Sequence, residues 1–353
     1  MPPWYCTRGE VLTAMDFKVP TRNVPQVDRA IEAASRSLED LTFRFFYPMD
    51  DTRYFDWPNY QLSPPWRLWL DKNELAAPAT AILSGTTNIP IADVNFEPFD
   101  YGPPFKYIEL RRDKTDSFGH NTTPQRDVAI TGTYGFWTKT EQRGTLVAAI
   151  TTTNALTLTV SDGSIATGVD VGDILVIDTE RMLVTAKTWT TSGQTQQTSG
   201  AGTASLSDQA LSVVDGTQFY PTEVILLDSE QMYITGIVGN VLTVNRAWAG
   251  STLATHSSAT INVNRLCTVT RGDLGTTAAT HLISAPVNRY QIPGLARSLT
   301  IAEAINFIEQ ETSGYARTMG SADNVRAISG AGLQDLRDRV SVRLGRSTRQ
   351  RAI

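Results

Sequence analysis

Only two cysteines and three histidines occur in 353 residues, and the cysteines, Cys6 and Cys267, lie far apart with no second Cys or His at metal-ligand spacing. This scarcity excludes a disulfide framework and a zinc module and leaves two reduced thiols as the expectation. No stretch approaches the roughly 18–20 apolar residues of a membrane-spanning helix. The opening Met-Pro-Pro-Trp-Tyr-Cys also lacks the basic-then-apolar order of a secretory signal. The expectation is a soluble chain that is not exported. No Ser or Cys stands in a nucleophile-elbow context, and Gly330-Ala331-Gly332 has neither the following Lys nor the preceding strand of a phosphate-cradling loop. An excess of one charge sign is lacking too. With 31 Lys+Arg against 36 Asp+Glu, a net charge of -5 and 41% apolar residues, the chain is not disordered, collagenous or a general polyanion binder. Its length and apolar content suit two or three domains.

Helical signals stand at both ends. Thr7-Arg8-Gly9-Glu10 has capping-box spacing, and Val11, Leu12 and Met15 follow on one side, which predicts a helix over 8–17. Asn23 with Pro25 in the first turn opens a second helix, in which Val27, Ile31, Ala34, Leu38, Leu41 and Phe45 recur at steps of three and four to about Tyr47. Thr300-Ile301-Ala302-Glu303 repeats the capping box, with an Ile301, Ile305, Ile308 stripe that Gly314 stops; Leu333, Leu336, Val340 and Leu344 mark a fourth helix. Between the ends, alternation with Thr, Val and Ile reads as strands, for example over 67–70, 106–110 and 127–131. The fold class is α+β, with a small helical bundle formed by the N- and C-terminal segments and β structure between. Ten of the 30 aromatic residues fall between Phe43 and Trp69. They read as core in preference to a subunit seam.

An internal repeat changes the domain map. Residues 172–185, around Asp178-Thr179-Glu180-Arg181-Met182, match 222–235, around Asp228-Ser229-Glu230-Gln231-Met232, at an offset of 50. Thr243-Val244-Asn245-Arg246 and the following Gly250 to His256 match Thr268-Val269-Thr270-Arg271 and Gly275 to His281 at an offset of 25. Two offsets do not arise from a tandem array. They follow if one β module is inserted into a hairpin of its sister, with the Ser, Gly, Gln and Thr-rich stretch from Thr190 to Thr203 as the point of departure. The domains are then a helical domain of 1–47 plus 290–353, a β region of 48–143, an outer module of 144–190 plus 265–289, and an inner module of 191–264.

The doubled pairs Asp178/Glu180 and Asp228/Glu230 place two carboxylates on one strand face, an arrangement open to a hard cation or to acid-base work. The preferred reading is structural: Asp ends a strand and Glu satisfies backbone groups in the tight turn, since a catalytic pair is scarcely needed twice. His256 and His281, at equivalent positions, are expected to fix loops; His120 lies in a polar loop. No catalytic residue, metal ligand or cofactor is assigned. From Val325 onward seven Arg stand against two Asp, leaving about -10 on the remainder. Such a tail suits an acidic groove or nucleic acid, and 346–353 is expected to become ordered only on a partner.

Three segments carry a resemblance: Val27-Asp28-Arg29-Ala30-Ile31-Glu32-Ala33-Ala34-Ser35-Arg36-Ser37, then Phe43-Arg44-Phe45-Phe46-Tyr47-Pro48, then Thr52-Arg53-Tyr54-Phe55-Asp56-Trp57-Pro58. In this order they resemble the head-to-tail connector, or adaptor, proteins of long-tailed bacteriophages, and Asp127 to Trp137 is similar to that family's strand and Gly-aromatic corner. The resemblance covers about 1–140 and 290–353, with the β modules as a large insertion. It implies a virion protein of the neck, assembled in the host cytoplasm, that forms a ring with copies of itself, commonly twelvefold, between the portal ring and a tail or stopper protein. DNA passes through the lumen without sequence recognition, and no membrane is involved. The implied portal contact is Leu333, Leu336, Arg337, Arg339, Val340, Arg343, Arg346, Arg349 and Arg351. The second reading is a tail-tip or baseplate protein whose β modules bind host glycan, for which exposed aromatics near Trp189 and Trp248 would speak. A third, glycan cleavage, requires one of the carboxylate pairs to be active.

Overall fold

The computed structural model describes residues 3–15, 24–57, 64–119, 123–166, 168–197, 207–312, 318–319, 326–327 and 331–346. Among them are four α-helices, α1 (Arg8–Ala14), α2 (Val24–Thr42), α3 (Gly294–Thr312) and α4 (Ala331–Leu344), in a mixed α+β molecule that is mostly sheet.

The capping box of α1 is complete: Thr7 Oγ1 accepts from the Glu10 N–H at 3.3 Å and Glu10 Oε2 from the Thr7 N–H at 3.0 Å. The helix is shorter than its spacing predicts. Helix α2 stops at Thr42 and not near Tyr47, because Phe43 takes φ 54° and turns the next residues off the helix axis. Phe46 and Tyr47 then pack on Tyr5 at ring separations of 5.3 and 5.5 Å, and the Tyr47 hydroxyl donates to the Trp4 carbonyl at 2.6 Å. Burial of these rings outweighs continuing the helix. The second predicted capping box is not a cap. Helix α3 starts at Gly294 after Pro293, so Thr300 lies inside it and donates its hydroxyl to Ala296 O at 2.9 Å, while buried Glu303 receives Arg337 Nε at 2.7 Å. Asn23, Gly314 and His120 lie outside the described residues.

The first β region runs through β1 (Met49–Phe55), β2 (Arg67–Trp69), β3 (Ala81–Ser84), β4 (Thr87–Asn88), β5 (Val94–Glu97), β6 (Tyr107–Leu110) and β7 (Val128–Tyr134). Two sheets, β1-β7-β3-β4 and β2-β6-β5, enclose a core that includes Phe55, Trp57, Leu68, Ile108, Ile130 and Tyr134. Of the aromatics between Phe43 and Trp69, Phe46, Tyr47, Phe55 and Trp57 are core, while Phe43 and Tyr54 are exposed.

The remaining strands are β8 (Thr140–Thr145), β9 (Thr157–Thr159), β10 (Ile174–Ile177), β11 (Glu180–Thr195), β12 (Ala210–Ser212), β13 (Val224–Leu227), β14 (Glu230–Val238), β15 (Val241–Asn245), β16 (Thr260–Thr270) and β17 (Pro286–Tyr290). They form two antiparallel barrels that share their two longest strands. The outer barrel runs β8, β17, β10, first half of β11, second half of β16, β9, and closes where Leu146 bridges Val160. The inner barrel runs second half of β11, first half of β16, β13, β14, β15, β12, and closes where Gln196 bridges Val213. Pairing matches strand for strand: Leu175 with Met182 and Ile225 with Met232; Leu183 with Thr270 and Tyr233 with Asn245; Leu158 with Cys267 and Leu211 with Leu242. The cores correspond as well, Met182 and Val184 in one barrel, Met232 and Ile234 in the other, with Cys267 in the place of Leu242 as a small buried apolar side chain.

The Thr190 to Thr203 stretch was expected to interrupt the strand, yet β11 continues to Thr195, since its threonines suit an extended chain and pair with β16 as far as Thr260. The outer barrel also carries the helices: α2 packs on α3, α3 on α4, and α1 on α2 and α3. Val11, Ile31, Ala34, Ala304 and Ile308 join the outer barrel's core cluster.

Two left-handed glycines separate strain from close approach. A Cβ on Gly193 (φ 73°) meets nothing within 4 Å, whereas one on Gly275 (φ 82°) would stand 1.9 Å from the Asp50 carbonyl where the outer barrel docks on β1. Gly193→Ala is expected to cost about 1–2 kcal/mol of left-handed strain, and Gly275→Ala clearly more, because backbone must move apart. Urea unfolding midpoints of the two variants provide the comparison.

Candidate functional site

Among the described residues, each barrel holds a buried charged cluster at the turn between its first hairpin strands, and the two are built alike. A two-residue turn joins β10 to β11 and β13 to β14, with Asp178 and Asp228 in the left-handed region (φ 54° and 51°), which Asp tolerates better than most residues. The next residue but one, Glu180 or Glu230, has a side chain with 0% exposure. Such a carboxylate is costly unless it is paired and hydrogen-bonded. Arg271 meets Glu180 with Nε and Nη2 at 2.7 and 2.8 Å, the N–H groups of Gly272 and Ala279 donate at 2.9 and 2.8 Å, and His281 Nε2 lies at 2.9 Å. Around Glu230 the same places are taken by Arg246 at 2.7 and 2.8 Å, the N–H groups of Ala247 and Ala254 at 2.9 and 3.0 Å, and His256 at 2.9 Å. The second histidine nitrogen faces Asp178 at 2.7 Å or Asp228 at 2.8 Å. Each histidine thus stands between the two carboxylates of its turn, one ring nitrogen on the aspartate and the other on the glutamate.

Five donors use up the lone pairs of each glutamate and leave none for a cation or for proton transfer to a substrate. Among the described residues no group of three or more His, Cys, Asp or Glu has the arrangement to hold a metal ion. The clusters are clamps. Arg271 continues to the carbonyls of Thr152, Ala155 and Ala279, and Arg246 to those of Asp208 and Ala254, so each clamp ties a hairpin turn to two returning loops. The glutamate's backbone partners, expected in its own turn, lie in the loop after the return strand. The signal for Arg246 and Arg271 is their repeated place ten residues before the histidine.

Where the two copies differ, they contact different neighbours. In the outer barrel the corner after Arg271 docks on the sandwich: the Asp50 N–H donates to Leu274 O at 3.0 Å, and Arg181 reaches Asp50 at 2.9 Å and the Tyr290 hydroxyl at 3.0 Å. The equivalent inner corner holds Trp248 between Ala247 and Ala249, both left-handed (φ 52° and 50°), with the indole stacked on Tyr233 at 4.5 Å. It faces α1 and the outer barrel across a cavity of about 160 Å³ lined by Trp248, Trp189, Asn264, Lys187, Gln231 and Thr13, among others. Trp189 and Trp248, far apart in sequence and both half-buried, thus meet at one place.

The residues expected to touch a portal are divided by the structure. Val340 is fully buried, Leu333 and Leu336 pack on its cluster, Arg337 is held by Glu303, and Arg346 lies 3.6 Å from Glu74. These side chains contribute to the chain's own packing and ion pairs. Arg346 also donates its N–H to Thr42 O at 2.9 Å, so the tail expected to be unanchored is fixed at its first residue. Arg339, paired with Asp335 along the helix, and Arg343 are exposed, beside Val342 at 85% exposure. Arg349 and Arg351 lie outside the described residues. No family model, curated protein or solved structure matches the chain.

Burial raises the Glu180 and Glu230 carboxyls, but the arginine, the backbone N–H groups and the histidine lower them further, leaving both at about 2. A carboxyl depressed from about 4.3 in the unfolded chain stabilises the fold above that pH and loses its contribution as pH falls towards 2. Urea unfolding is therefore expected to weaken between about pH 4.5 and pH 2, with a shallower dependence in Glu180→Gln and Glu230→Gln. At neutral pH, Glu230→Gln leaves a buried arginine unmatched and is expected to cost about 3–5 kcal/mol. Amide exchange should rise at Ala247 and Ala254 and stay unchanged at Gly272 and Ala279.

Proposed function

We propose that the protein is a structural virion component, the head-to-tail adaptor of a bacteriophage neck. In this reading the helices of both chain ends act as one small bundle. Copies assemble into a ring between portal and tail, twelvefold if it follows the family it resembles, and DNA passes through the lumen. The observation that carries the reading is the two-sided character of α4. Val340 is turned into the core, while Arg339, Val342 and Arg343, spaced three and four apart, share an exposed face next to the chain end. A helix anchored on one side and presenting cations around an exposed apolar residue on the other suits docking into an acidic, partly apolar groove. The net negative charge of the rest of the chain suits a conduit that does not grip DNA. The inner barrel is joined to the outer one through the β11–β16 ribbon, so it can project from a ring without breaking it.

A second reading, a tail-tip protein that binds glycan, is favoured by the convergence of Trp189 and Trp248 on one cavity.

The adaptor reading is tested by native mass measurement of the chain alone and mixed with portal rings. Many copies are expected to be recruited per portal ring. The double variant Arg339→Glu with Arg343→Glu should reduce recruitment at least tenfold without lowering the melting temperature. A wild-type chain that ignores portal rings, or a variant that docks as before, contradicts this reading.

A further inference from the structure

The duplicated barrel serves as its own control. What the fold needs occurs twice: Glu180 with Glu230, Arg271 with Arg246, His281 with His256 and Asp178 with Asp228. The groups at the seam cavity are not among these. By pairing register Trp189 corresponds to Thr140 and Asn264 to Tyr290, and by the repeat Trp248 corresponds to Asp273. The barrel folds without an indole or an amide at these positions, so folding alone does not account for them.

Three further observations define what would fit. A cavity of about 160 Å³ matches one six-membered ring, since an apolar cavity of about 150 Å³ takes up benzene. Its polar groups ask for hydroxyls. Asn264 lines the cavity, and its Oδ1 is buried with no hydrogen-bond partner. Lys187 is 5% exposed, and its Nζ gives one proton to Val169 O at 2.7 Å, which leaves donors for a ligand oxygen. The charges at the cavity cancel, with Lys187 4.0 Å from Asp170 and Arg8 2.7 Å from Asp28, so a neutral ligand is preferred to an anion.

We propose that the seam between the two barrels and α1 binds one neutral sugar ring, an apolar face of the ring against indole and its hydroxyls on Asn264 and Lys187. This gives the glycan-binding reading a site and rests on that reading only for the source of the sugar.

The test is titration of the intact protein with glucose, galactose, mannose, N-acetylglucosamine and N-acetylgalactosamine, followed by tryptophan fluorescence and by calorimetry. At least one is expected to bind saturably at one site per chain with millimolar affinity, as suits a single ring. Trp248→Ala and Asn264→Leu should each weaken that binding at least tenfold, while Trp69→Phe, remote from the cavity, leaves it unchanged. Urea midpoints and amide exchange at Ala254 show whether a variant keeps the inner barrel. If Trp248→Ala loses the barrel, Asn264→Leu decides. Absence of binding by all five sugars at 100-millimolar order, or binding that both folded variants retain, overturns the proposal, as does uptake of benzene with no uptake of sugar. Sugar binding by a protein that ignores host-cell surface glycan would keep the site and contradict the tail-tip reading.

Discussion

A carboxylate with no solvent exposure persists only if its charge is met on every side, and Glu180 and Glu230 impose that demand twice. Meeting it requires an arginine from the end of a return strand, two N–H groups from the loop beyond, and a histidine ten residues after the arginine. These groups converge only when hairpin and return strand are already in register. The clamp therefore couples local turn geometry to barrel closure, and the loops at that end of each barrel depend on it. Removing one partner leaves the others buried and unmatched, a heavier loss than any single surface pair would cause.

The clamps also explain how one barrel can interrupt another. The interruption falls between β11 and β16, at the hairpin where the inner copy has only Gly239-Asn240, away from the turn, corner and loop that each clamp ties together. Thr188 pairs with Leu266 as Val238 pairs with Val241, so the outer ladder reaches the same level as the inner one before the chain departs. Both strands simply continue and become the first and last strands of the inner barrel. A continuous ribbon is a stiffer joint than a flexible linker. It sets the two barrels side by side and creates the seam where Trp189 and Trp248 meet.

The repeat was legible in the sequence because the copies keep the clamp residues: Asp-x-Glu at an offset of 50, and Arg with its later His at an offset of 25. What was not legible kept only alternation. Thr157–Thr159 corresponds to Ala210–Ser212 and Pro286–Tyr290 to 260–264, pairs that share a pleat and an inward apolar residue but little identity. Barrel closure, a long-range property, therefore stayed hidden. Thr300 and Glu303 misled for a related reason: capping-box spacing also occurs mid-helix, where Thr bonds the carbonyl four residues back and Glu awaits an arginine from α4. The seam cavity had no sequence signal beyond two tryptophans, since its lining comes from α1 and both barrels.

The outer barrel is complete in itself, held by its own clamp, with the inner barrel as an insertion. The most direct measurement replaces residues 189–265 by Gly-Asn, the hairpin that the inner copy uses, and follows urea unfolding together with amide exchange at Gly272 and Ala279. One cooperative transition is expected, with protection at both amides close to that of the full chain. A chain that unfolds without a cooperative transition, or that loses protection at these two positions, would contradict it.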